Sequence, residues 1–340
     1  MKTMLFEPGR YFANCHASTV LALADGTVLC AYFAGTREKD PDVGIWLSRR
    51  VEGKWAQPVC IAKSEQTAHW NPVLFEDGDG VRICYKVGRE IPIWRTRTRV
   101  SRDGGKTWSP ETAYPEPLAD CGPVRSKPLK LSDGSLIAPN STETPQDWAP
   151  RLDISHDGGA SWEKLCDLPI NKTQRDKPGY FAGKGAIQPA LWQSASGLHA
   201  FLRTTEGEIY RTDSADGKTW CMAYPTGLPN NNSGIETVQD DQTLFLVCNP
   251  VGANWGARFP LVILRSDDDG KTFRTVKTLE PERDEAYIEA VLAQGAREGY
   301  HVKVEYSYPA AMVRGGRMYV TYTYHRRSIA FWEIPLEELK

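Results

Sequence analysis

The 340-residue sequence has no apolar run that approaches the length of a membrane-spanning helix. It has no basic run either: 41 Lys and Arg stand against 43 Asp and Glu, for a formal charge of −2. That balance offers nothing for nucleic acid or an anionic membrane to hold, so neither is expected as a partner. The eight cysteines show no zinc-site spacing. They fall mostly in apolar stretches, such as Cys30 in VLCAYF, Cys84 in RICYKV and Cys248 in LFLVCN, and read as buried free thiols. No metal and no cofactor is expected. The opening MKTMLFEPGR lacks the apolar core of a signal peptide, which fits a cytoplasmic enzyme, or a periplasmic or secreted one if a signal has been trimmed.

What the sequence does have is a repeat. Residues 101–108 read SRDGGKTW, 155–162 read SHDGGASW and 266–273 read SDDDGKTF. A copy one residue shorter, SADGKTW, occupies 214–220, and a worn one, SRRVEGKW, occupies 48–55. Spacing of 52 to 59 residues between copies marks a repeat architecture, and a length of 340 holds about six such units. Each box makes sense as a turn: Asp103 can accept backbone N–H groups across it, and Gly105 can take the positive φ that closes it. Identical turns in every unit cannot all be one active site. The boxes are scaffold.

Between the boxes run pairs of short strands joined by tight, mostly Asp-Gly turns: 19–23 with 27–33, 73–75 with 81–87, 128–131 with 135–139, 190–193 with 198–203, 236–238 with 243–249, and 310–313 with 318–324. A third strand then leads into each box and a fourth follows it. The pattern predicts an all-β chain, a six-bladed β-propeller with box turns spanning residues 1–340 as a single domain. The sixth unit has only 328–334 after its first pair, so residues 3–6 are expected to complete it and close the ring. One helix is expected over 282–295, as a loop insertion, and 172–184 reads as a long loop.

In a propeller the starts of the first strands converge on the axis, so chemistry is sought there and in the loop that follows. The six units in order offer His16 and Asp40; His69, Trp70, Asn71, Tyr85, Lys86 and Arg89; Arg125 and Lys127; Gln188 and Arg203; Asn230–Asn232, Glu236 and Arg258; and Glu305, Tyr306 and Tyr308. A single arginine in such a loop is ordinarily a surface ion pair. Three or more converging on one pocket favour an anionic ligand, because the guanidinium fork matches a carboxylate. His16 reads either as a buried histidine bonded to the next blade or as a general acid–base. His69 can play the same part or simply pack Trp70. A zinc site from His16, His69 and Asp40 has no supporting spacing.

The boxes, together with HASTV, DVGIWLS, HWNPV, LPNNNSGIE and YSYPA, resemble the sialidase superfamily over essentially the whole chain, in particular a bacterial branch of predicted neuraminidases. Such enzymes use three arginines for the substrate carboxylate, an Asp acid–base, and a Tyr nucleophile partnered by a Glu. The resemblance implies Arg203 and Arg258 as the second and third arginines, Asp40 in the loop of the acid–base, and Tyr308 on the strand of the nucleophile. His16 stands where the first arginine is expected, and Gln188 where the glutamate is. Glu236, Glu305 or an arginine would then have to support Tyr308.

Three functions follow as expectations. The first is an exo-acting hydrolase of a terminal acidic sugar, with Asp40 as acid, Tyr308 as nucleophile or stabiliser, and Arg203 and Arg258 as clamp. Arg125, Lys127, His69, Trp70, Asn71, Tyr85, Lys86, Gln188 and Asn232 would bind substrate around them. The second is a lyase on a uronic-acid glycoside, with His16 and Tyr308 as base and acid. The third is a sugar-binding propeller without catalysis. A lectin tends to repeat its binding residues in every blade, whereas here only the boxes repeat, which favours one asymmetric catalytic site.

Overall fold

The computed structural model describes residues 1–281, 285, 288–290, 292, 293 and 304–340. Among them the strands form six small antiparallel sheets in a ring, a six-bladed β-propeller. Blades I to VI begin on the inner strands Asn14–Ala22, His69–Asp77, Leu129–Lys130, Ala186–Ser194, Glu236–Asp240 and Tyr306–Arg314. Each expected strand pair forms. The ring closes as anticipated: Lys2–Met4 pairs antiparallel with Ser328–Pro335, setting Thr3 opposite Phe331 as the outer strand of blade VI. The helix expected over 282–295 falls mostly outside the described residues; 285, 288–290, 292 and 293 are helical.

The near-continuous apolar runs of the strands have a physical cause. Each blade is sandwiched between two others, so both of its faces are buried. Leu29 and Ile45 of blade I pack with Leu74 and Ile83 of blade II, and Val247 and Ile263 of blade V with Val320 and Tyr322 of blade VI.

The inner strands begin earlier than their alternation suggests. In blades I, II, IV and VI the pairing register slips between His16 and Thr19, Trp70 and Val73, Ile187 and Ala190, and Ser307 and Ala310. Each slip contains one residue of positive φ: Ala17, Asn71, Gln188 and Tyr308. These are β-bulges, whose extra residue re-aims a side chain off the sheet. Three of the four residues precede proline (Asn71-Pro72, Gln188-Pro189, Tyr308-Pro309), a context that ordinarily favours extended backbone. The sequence periodicity breaks at these bulges, so the strands read from it start just after them.

At the opposite end of the ring the boxes fold as expected. Ser101 Oγ donates to Asp103 (2.8 Å) and accepts from Gly105 N–H (2.8 Å), while Asp103 accepts from the amides of Lys106 and Thr107 and from the Thr107 hydroxyl. Ser155, Ser214 and Ser266 start the same arrangement. Gly105, at φ +78°, lies so close to Leu29 and Leu47 of the preceding blade that a Cβ would meet them at 3.0 to 3.5 Å. Arginines tie these turns across the blade boundary: Arg49 donates to Gly104 O (3.0 Å), Arg82 to Gly158 O (3.1 Å) and Arg211 to Asp269 O (2.5 Å). Blade VI has no box, and there Arg265 donates instead to Leu339 O (3.0 Å).

His199 belongs to this bracing. Its Nδ1 lies 2.6 Å from Asp213 and its Nε2 2.9 Å from Ser194 Oγ, but the hydroxyls of Ser194 and Ser196 both donate to Asp269 of the next box. The proton that a serine nucleophile would give to histidine is thus directed to a carboxylate of blade V. The cluster joins blades.

The boxes make the fold acid-sensitive in a defined window. Hydrogen bonds from Thr272 hold Asp268 at about 2, and those from the amides of Thr219 and Lys218 hold Asp216 at about 2. Both lie below the unfolded carboxylate value near 3.9. A carboxylate with a depressed folded pKa stabilises the fold above its unfolded pKa and loses that contribution as pH falls toward the folded one. Thermal midpoints followed by circular dichroism should therefore hold down to about pH 4 and fall between about pH 4 and 2. The Asp268→Asn variant should show a lower midpoint at pH 7 and a shallower fall.

Candidate active site

The ends of the inner strands and the loops joining second and third strands meet at the end of the axis away from the boxes. They enclose a cavity of about 270 Å³. Its floor comes from the bulged strands: His16 of blade I, Trp70 and Asn71 of blade II, Gln188 of blade IV and Tyr308 of blade VI. The connections between second and third strands, with the strand ends that flank them, supply the walls: Glu38 and Lys39 from blade I, Ile91 and Trp94 from II, Glu143 and Trp148 from III, Arg203 from IV, Trp255 and Arg258 from V, and Arg326 from VI. Larger grooves of about 420 and 610 Å³ open elsewhere, between blades, and the box turns form much of their lining.

Tyr308 is the centre. Its oxygen accepts from Arg203 Nη1 at 2.7 Å. The guanidinium carbons of Arg125, Arg203 and Arg258 lie 5.5, 5.5 and 5.4 Å from its ring centroid, and the His16 ring lies 4.2 Å away. Three guanidinium groups thus stand within cation–π range of the ring. Arg203 is itself fixed: Gln188 Oε1 accepts from its Nη1 (2.9 Å) and Asn232 Oδ1 from its Nε (2.9 Å). Asn232 is held in turn by its own amide donating to Asn254 (2.8 Å).

Arg258 and Arg326 share a buried carboxylate behind the wall. Glu305 accepts from Arg258 Nη1 and from Arg326 Nε, and Arg326 Nη1 reaches Glu38 as well. Burial works against a charge on Glu305, but Arg326, Arg258 and His16 outweigh it and hold the carboxyl well below its usual range. The two arginines are thereby fixed against two carboxylates, Glu305 between them and Glu38 on the far side of Arg326. Arg326 was not singled out in the sequence, although it lies in the tight turn joining the second and third strands of blade VI, the same connection that supplies a wall elsewhere.

Glu143 also emerges only from the structure. It ends the second strand of blade III, buried, with the Ser141 hydroxyl donating to its Oε1 (3.0 Å). Burial raises its pKa, and Arg203, Ser141 and Gln188 offset this only in part.

Several sequence candidates sit elsewhere. Asp40 is absent from the cavity lining: its carboxylate pairs with Arg37 (3.1 Å) in the turn that carries Glu38 and Lys39 inward. Tyr85 donates to Glu111 (2.6 Å), and Lys86 is buried, donating to Thr96 Oγ1 and Asp120 O (both 2.8 Å), with its pKa pushed down to about 8 by burial. Both stand near the end of the second strand of blade II, but these partners hold them away from the cavity lining. His69 Nδ1 lies 3.1 Å from Thr67 O and its ring stacks on Tyr85. Arg125, Lys127 and Glu236 form a layer below the floor. Arg125 crosses the axis to donate to Ile235 O (2.6 Å) and Pro309 O, with Glu236 at 3.5 Å. Burial lowers the pKa of Arg125 and of Lys127 and raises that of Glu236, as each opposes its own charge. Glu236 therefore supports Tyr308 only through Arg125. Arg89 is exposed. His16 Nδ1 lies 2.7 Å from Thr323 Oγ1 of the neighbouring blade VI, so it combines an interblade hydrogen bond with a place on the cavity floor.

A six-bladed propeller with Asp-box turns and an axial arginine–tyrosine cavity defines a sialidase-type propeller. The pattern of the BNR repeat-like domain matches residues 26–320, and the chain belongs to that family. Among solved structures, a Dyadobacter fermentans protein of unknown function superposes with a TM-score of 0.73 at 15% identity, covering 98% of this chain and 97% of its own. A Hadza microbial sialidase gives 0.75 at 13%, covering 100% and 69%. Trypanosoma rangeli sialidase, as its covalent intermediate with 2,3-difluorosialic acid, gives 0.71 at 13%, covering 100% and 59%. Among curated protein sequences none matches this chain. Identities this low speak to the fold.

Proposed function

We propose that the protein is an exo-acting glycosidase that removes a terminal acidic sugar. The observation that carries this reading is the meeting of Arg203, Arg258 and Arg326 in one small cavity beside the Tyr308 phenol. Lining cations Lys39, Arg203, Arg258 and Arg326 face the lining carboxyls Glu38 and Glu143, with Glu305 behind. Positive charge is in excess, as a carboxylate ligand requires. The volume lies just below the roughly 300–1,000 Å³ of drug-sized ligand sites, which suits one sugar ring rather than a chain. Trp148 and Trp255, 6.2 Å apart at the rim, offer apolar faces to the group beyond the scissile bond. In this mechanism the arginines hold the sugar carboxylate, and the Tyr308 oxygen faces the anomeric carbon as positive charge develops there.

The contact between His16 and Tyr308 also supports a lyase on a uronic-acid glycoside, with these two side chains as base and acid. One assay separates the two. Wild-type protein is incubated with matched glycosides ending in acidic or neutral sugars, with product mass and ultraviolet absorbance recorded. Hydrolysis adds one water and releases the free acidic sugar, and neutral analogues stay intact. An unsaturated, ultraviolet-absorbing product without added water means the lyase. Binding of acidic sugars without turnover leaves a sugar-binding propeller.

A further inference from the structure

We propose that Glu143 is the proton donor of this site, in place of an aspartate in the loop of Asp40; the assignment rests on the glycosidase reading above. Among the described residues two carboxyl groups line the cavity, Glu38 and Glu143. Glu38 is committed to Arg326 Nη1 at 2.5 Å, which ties its carboxylate to the wall of the cavity. Glu143 has a different setting. The groups that hydrogen-bond it are the Ser141 hydroxyl and the Gln188 side chain, both neutral, while the Arg203 guanidinium nearby pulls toward the ionised form without outweighing burial. They orient the carboxyl without forcing it to ionise, and its burial favours the protonated acid.

Its position in the ring supports the same role. Glu143 stands on blade III and Tyr308 on blade VI, opposite one another in a ring of six, with Arg203 of blade IV bonded to Tyr308 and to the Gln188 that touches Glu143. A glycosidic bond needs an electron-rich group on one face of the anomeric carbon and an acid beside the leaving oxygen on the other. The bond from the anomeric carbon to that oxygen breaks, its electron pair stays on the oxygen, and the oxygen takes the Glu143 proton. Tyr308 Oη faces the cationic carbon. Water then enters on the side the leaving group vacated, its oxygen bonds to carbon, and its proton goes to the Glu143 carboxylate. The acid is restored, and the net change is hydrolysis.

The test compares two substrates of the same acidic sugar, one with a sugar leaving group and one with a nitrophenol, which departs without help. Glu143→Gln should lower kcat on the first by at least about a hundred-fold, and on the second by less than about ten-fold. The basic limb of the kcat/KM pH profile should disappear, while Glu143→Asp keeps a basic limb at a shifted pH. Thermal unfolding of both variants shows whether the fold survives. The proposal is overturned if Glu143→Gln cleaves both substrates like wild type with its basic limb intact. It is equally overturned if Asp40→Asn, rather than Glu143→Gln, loses that limb. A wild-type protein that hydrolyses no acidic glycoside removes the glycosidase reading and this assignment with it.

Discussion

Tyr308→Phe should reduce kcat on a terminal acidic glycoside roughly a thousand-fold, with KM and the unfolding midpoint close to wild type. The substitution removes one oxygen that accepts from Arg203 Nη1. That nitrogen keeps Gln188 Oε1 as a partner, so no buried donor is orphaned and the ring keeps its contact with His16. Loss concentrated in kcat is the mark of an interaction made chiefly in the transition state. Steady-state kinetics on wild type and variant decide the matter: turnover retained within ten-fold would remove Tyr308 from the chemistry.

Arg326→Ala should have the largest effect on stability and a severe one on activity. Arg326 and Glu305 are both almost fully buried, and the guanidinium also holds Glu38. Removing one partner of a buried ion pair costs about 3–5 kcal/mol, because the remaining charge loses its compensation. Here Arg258 still holds Glu305, which places the expected loss toward the lower end, about 3 kcal/mol. Urea unfolding reads that loss. Activity should fall as well, through a raised KM for acidic sugars, since one of three carboxylate donors is gone. A variant as stable as wild type would mean that Arg258 alone satisfies Glu305.

The ring of blades was legible in the sequence because its causes are local and repeated. Four of the five boxes carry the Ser and Asp whose hydrogen bonds close the turn, and each blade begins with two strands joined by a tight turn. Ring closure could be read from a missing strand. The cavity was only partly legible. Its floor residues His16, Trp70, Asn71, Gln188 and Tyr308 were found because they stand at the starts of first strands, which converge on the axis in a propeller. The walls were harder: Glu38, Trp255 and Arg326 lie in loops, and Trp148 at the start of a strand, and the direction of each is set by contacts made after folding. Lys86 and Tyr85 look like cavity residues in one dimension and are held away from the cavity lining in three. Glu143 looks like one more charge at a strand end, and only the ring puts it across from Tyr308.

The bulges of blades I, II, IV and VI have a consequence for how such a pocket changes over evolutionary time. Each delivers a floor side chain from a place where the ladder is already interrupted, so exchanging it disturbs few interstrand bonds. Positions 16, 71, 188 and 308 behave like interchangeable tool bits in a fixed chuck. New substrates can be explored by rewriting a few residues while the boxes, the arginine ties and the closing strand keep the ring intact.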